Sequence, residues 1–237
     1  MTAGQSQTDA EGVWRWSMVS LYAVAMAWVE AAVVFYLRNL TGRTDPHQNA
    51  PPLGPTPWEK PEMIREFATL VMLFAVGWLA GRTRRSRLGY GLIAFGVWDI
   101  FYYIFLKLIT GWPQGWLDWD ILFLLPLPWW GPVVAPMLIA GLLVLGGTLL
   151  SQFDTPERPL WPARASVACS AFGAVLALYV FMADALHVVS QGPAALRNLL
   201  PETFRWSPFL VACLLMAVPI LDLACQLWGR RLAPAAP

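Results

Sequence analysis

Residues 16–37 read WSMVSLYAVAMAWVEAAVVFYL. The run is continuous rather than alternating, and it is as long as the roughly 20 apolar residues a helix needs to cross a hydrocarbon core. A chain facing lipid must satisfy its backbone hydrogen bonds internally, which makes the run a spanning helix and disfavours a β-barrel. One residue breaks the pattern. Glu30 is the only charge between Arg15 and Arg38. A carboxylate at that depth costs about 2.5–3.5 kcal/mol on insertion scales, so it calls for a task or a partner.

The rest of the chain has the same character. Of 237 residues, 57% are hydrophobic and 13% charged, against about 25% charged in soluble domains. Apolar runs predict six spans, at about 14–37, 62–80, 88–110, 132–151, 164–189 and 207–228. They leave no room for a separate soluble domain. Residues 14–229 read as one transmembrane bundle, with short cytoplasmic tails at 1–13 and 230–237. The first tail holds Asp9 and Glu11 and no basic residue, unlike a signal peptide's n-region. A formal net charge of +1 argues against nucleic acid as a partner. Cys169, Cys213 and Cys225 all fall in apolar runs and read as packing residues.

Arg82, Arg84, Arg85 and Arg87 crowd the connector after the second span, which places that connector and both termini in the cytoplasm. On the opposite side, residues 39–61 carry six prolines and read as extended rather than helical. Residues 111–132, GWPQGWLDWDILFLLPLPWWGP, are apolar but interrupted by Pro113, Pro126, Pro128 and Pro132. They read as a broken re-entrant or interfacial segment, its tryptophans anchoring at headgroup level or forming a lid. The fold class is therefore all-α, a six-helix transmembrane bundle with this Trp/Pro-rich segment between the third and fourth spans. Gly77 and Gly81 form a GxxxG that allows close helix approach, and Pro219 is placed to kink the sixth span.

Acidic residues recur inside the apolar runs. With the termini inside, Glu30, Glu66, Asp99, Asp118, Asp120 and Asp184 all fall toward the outer side, and only Asp222 falls toward the inner. Asp99 shares a helix face with Tyr102 and Tyr103, and Asp184 with His187. These residues suggest a pocket with Glu30, Glu66 and Asp99 as its catalytic floor. Tyr102, Tyr103, Trp119 and Asp120 would contact substrate, and Asp184 and His187 would stand at the rim. A divalent metal is one candidate for such a site, with Asp184 and His187 as ligands. Haem is disfavoured, because the only histidines are His47 in a loop and His187. Proton chemistry is a second candidate, since an apolar setting favours the neutral carboxyl. In a third, structural reading, Glu30 pairs with Arg65, Asp99 with Lys107, and Asp222 sits near Arg230.

The functional expectation is a membrane-embedded enzyme or ligand-binding protein for a lipidic or small hydrophobic substrate. The alternatives are a non-catalytic scaffold subunit of a membrane complex, and a proton-coupled transporter. The missing internal repeat weakens the transporter reading. The expected partners are the lipid bilayer, a hydrophobic small molecule, other membrane subunits or further copies of the chain. The compact, Arg- and Ala-rich character suggests a bacterial inner membrane.

Overall fold

A computed structural model describes residues 3–42, 45–47, 59–155 and 158–232. The elements in chain order are α1 (Ala3–Thr41), α2 (Glu59–Ala80), α3 (Arg84–Thr110), β1 (Trp119–Phe123), β2 (Trp129–Pro132), α4 (Val134–Phe153), α5 (Arg164–Val188), α6 (Pro193–Arg197) and α7 (Trp206–Leu232). A single 3-10 turn, Val189–Gln191, separates α5 from α6. Six of the helices, all but α6, are long and apolar enough to cross a membrane, which fits a multi-pass membrane protein.

The helix ends follow local chemistry. Thr83 and Ser86 form a reciprocal capping box at the start of α3, each side chain taking the other's backbone N–H at 3.0 and 2.9 Å. Gly111 ends α3 at φ 76°, a left-handed conformation that favours glycine. Pro61 lies in the first turn of α2, where its missing N–H has no helical partner to lose. The expected extended segment at 39–61 is thus helical at both edges, and most of its middle lies outside the described residues. The helix of the first span also takes in most of the first tail, starting at Ala3. The 39 residues of α1 rise about 58 Å, well beyond a hydrocarbon core of about 30 Å.

The N-terminal part of α1 is held where the arginine-rich connector lies. Arg15 donates to the Ala80 carbonyl at 2.8 Å, and Glu11 pairs with Arg82. Beside it, Asp154 accepts from Thr83 Oγ1 at 2.7 Å and from the Leu160 N–H at 2.9 Å. Asp222 is not held by Arg230. It accepts from the Ala163 N–H at 2.7 Å and from Ser166 Oγ at 2.8 Å, covering the first turn of α5. Arg230 instead donates to the carbonyls of Arg158 and Pro159. A carboxylate gains more from orphan amides at a helix start than from a mobile, exposed arginine.

α3 is the central helix. It packs against α1, α2 and α4, while α5 pairs with α7. At the crossing of α3 and α4, a Cβ on Gly147 would lie 2.5 Å from the Gly89 carbonyl oxygen, so the backbones touch because neither residue has a side chain. Gly77 meets the backbone of Gly91 in the same way, joining α2 to α3. Val19, Ala23 and Ala27 of α1 pack with Leu73, Tyr90, Ile93 and Ala94 to form one core. Ala177, Phe181, Phe209 and Ala212 form another between α5 and α7.

The proline-interrupted segment is a β-hairpin. β1 and β2 pair antiparallel, with Asp120 opposite Gly131 and Ile121 opposite Trp130, and the register is irregular between Ile121 and Phe123. Prolines exclude a helix here, and the aromatic and β-branched residues between them favour a short ladder. The hairpin bridges the two cores: Phe123 lies 6.3 Å from Trp98 of α3, and Trp129 stacks on Phe181 of α5 at 6.5 Å. The Val133 N–H donates to the Asp118 carbonyl, and the Val134 N–H to the Trp116 carbonyl, both at 2.9 Å.

Candidate functional site

A cavity of about 510 Å³ lies at the end of the bundle away from the arginine-rich connector. Its walls are the C-terminal half of α1, the first turns of α2, the middle of α3, the hairpin and residues around α6. The volume suits a small-molecule site. Of the residues expected at a site, Glu30, Glu66, Asp99, Tyr102, Tyr103 and Asp120 all line it. The four carboxylates come from four elements, yet they are only 8, 8, 7 and 2% exposed, in that order.

Each carboxylate is held differently. Glu30 pairs with Arg65 of α2 and accepts from Thr69 Oγ1 at 3.3 Å. Arg65 also forks onto Glu62, one helical turn back, with contacts of 2.9 and 2.5 Å. One guanidinium therefore serves two acids and ties α2 to α1. Asp120 pairs with Arg38 at 3.1 Å, and Arg38 lies over the Trp112 ring at 4.1 Å. Burial pushes the Asp120 carboxyl up, to about 6, against the pull of Arg38 and of the hydrogen bonds it accepts.

The other two acids lack such partners. Glu66 accepts the backbone N–H of Leu124 at 3.1 Å, a bond that docks the hairpin on α2. Among the described residues, Asp99 Oδ2 is buried without a hydrogen-bond partner, and so are the indole N–H groups of Trp98 and Trp130 in the same walls. Such groups are rare in folded proteins. Asp99 does not pair with Lys107, whose ammonium donates instead to the carbonyls of Gly111 and Pro113 at 3.0 and 2.7 Å, where it closes the C-terminal end of α3.

No protein-family model matches the chain, and no curated protein or solved structure matches it at a significant level.

Three expected site residues lie elsewhere. Trp119 does not line the cavity; it stacks on His47 at 5.6 Å and meets Phe204 edge-on at 6.0 Å. Asp184 pairs with Arg205 at 3.0 Å, His187 is exposed, and neither lines the cavity. Among the described residues, no group of three or more His, Cys, Asp and Glu side chains is arranged to hold a metal ion. Three contributors went unread in the sequence as site residues. Trp98 and Trp130 line the cavity, and Glu62 shares Arg65 with Glu30. The spacing of Glu62, Arg65 and Glu66 on one helix turn carried that last signal. The remaining wall is apolar, with Val34, Leu122, Phe123, Leu196 and Leu199 among its residues.

Proposed function

We propose that this chain is a membrane-embedded protein that binds a lipidic or small hydrophobic molecule and holds its polar end among buried carboxylates. One observation carries the reading: acids from three helices and a hairpin meet on a single cavity whose lining is otherwise mostly apolar. Asp99 and Glu66 are the groups that meet the ligand. Proton transfer at these two acids is the chemistry the site would support if it is catalytic. Glu30 and Asp120 position the walls through Arg65 and Arg38, and Tyr102 and Tyr103 complete the polar face. With the arginine-rich connector in the cytoplasm, the cavity lies on the outer side of a bacterial inner membrane.

A saturable photolabelling experiment tests this reading. A small aliphatic diazirine, added to the purified protein in nonionic detergent, is expected to concentrate on peptides containing Trp98–Tyr103 and Ile121–Leu127 and to saturate. Unsaturable labelling spread over exposed apolar residues such as Phe74 and Leu79 would remove the site. A second reading, a scaffold subunit of a membrane complex, is favoured by the Glu30–Arg65–Glu62 and Arg38–Asp120 pairings, which fix helix and hairpin positions without chemistry.

A further inference from the structure

Among the described residues, the charges around the cavity do not balance. Five carboxylates and three guanidinium groups of those residues line it. Arg65 is shared by Glu30 and Glu62, and Arg38 is taken by Asp120. Arg197 stands in the wall as the third cation. Even with its charge counted in full, the acids exceed the bases. Glu66 and Asp99 form no ion pair among the described residues. Glu66 has one backbone amide, and Asp99 has an oxygen with no donor among the described residues. An uncompensated carboxylate in an apolar wall is expensive, and a ligand that brings both a positive charge and N–H donors would relieve it. Aromatic rings line the same cavity. Trp98 stacks with Tyr102 at 6.3 Å, and Phe123 lies 6.3 Å from Trp98. Aromatic rings in a cavity that also holds carboxylates are a favourable setting for an ammonium group.

We infer that the ligand is an amphipathic amine, bound as its ammonium form with the nitrogen donating to Asp99 and Glu66 and the apolar body against the leucine-rich wall. This rests on the cavity being a ligand site, as proposed above. A quaternary ammonium would supply the charge but could not donate to Asp99 Oδ2, so a protonated primary amine is the better fit.

The test compares three probes of one chain length: octylamine, octanol and octanoate. Each is titrated calorimetrically into the purified protein in nonionic detergent, with protein-free micelle blanks. Octylamine is expected to bind saturably, at least tenfold tighter than either of the others. Asp99→Asn and Glu66→Gln are each expected to weaken octylamine at least tenfold and to leave octanol unchanged, and Asp184→Asn to change neither. The wild-type comparison alone keeps the inference falsifiable should a variant fail to fold. If octanol or octanoate equals octylamine, the amine assignment falls while the cavity remains a ligand site. If none of the three binds saturably, both fall.

Discussion

Arg38 on the last turns of α1 holds Asp120 of β1 at 3.1 Å, and so fastens the hairpin that closes the cavity to the helix that opens it. Both side chains are mostly buried, at 11 and 2% exposed. Removing one partner of such a pair strands the other charge. Arg38→Met is expected to destabilise the protein by about 3–5 kcal/mol. Adding Asp120→Asn should recover most of that loss. Thermal unfolding of the two variants in detergent measures it, and a double variant as unstable as the single would show that the pair is not the cause.

The same aspartate sets a pH dependence. Its folded-state carboxyl is raised from an ordinary 3.8 to about 6, chiefly by burial. Between these values the folded chain holds a proton that the unfolded chain has released. The stability from Asp120 is therefore complete below about pH 4 and is lost as pH rises through about 6. Melting temperatures of wild type and Asp120→Asn, measured from pH 4 to 7, are expected to diverge in that window, the wild type losing ground as pH rises. Parallel curves would mean that Asp120 titrates at its ordinary value.

Gly147 and Gly141 lie on the same helix, and only the first should resist a side chain. A Cβ at Gly147 meets the backbone of α3, whereas one at Gly141 meets nothing within 4 Å. Gly147→Val is expected to destabilise by about 1–3 kcal/mol through forced separation of α3 and α4. Gly141→Ala is expected to cause no loss. Equal effects on unfolding would show that the contact is not tight.

Asp222 is expected to act as a cap rather than an ion-pair partner. Asp222→Ala should speed amide exchange at Ala163, because that N–H, at the start of α5, loses its acceptor. Arg230→Ala should leave that exchange unchanged. Hydrogen–deuterium exchange of the peptides covering 160–170 distinguishes the two.

The spanning helices were readable because a bilayer demands long apolar runs, and Glu30 was readable because it interrupts one. Its pairing with Arg65 was among the expected arrangements, since an opposite charge on a neighbouring helix is the simplest way to settle a buried acid. Other features depended on information that spacing does not contain. Asp184 and His187 do share a helix face, but three-residue spacing does not say which way that face points. The 119–132 segment was recognisably non-helical from its prolines. Its pairing register depends on contacts with α3 and α5 that no local pattern encodes. Asp99 was readable as part of a pocket floor, with a pair to Lys107 as the structural alternative. The carbonyls at the end of α3 were closer acceptors, and they left the aspartate facing the cavity.

The Gly77–Gly91 contact seats α2 on α3, backbone against backbone, near the arginine-rich end. Glu66 lies about 16 Å from that junction along the helix axis. At that other end Arg65 reaches across to Glu30, and Glu66 receives the hairpin. The helix is thus pinned twice, once by bare backbone and once by buried charge, and the separation of the chamber's walls is set between those two moorings.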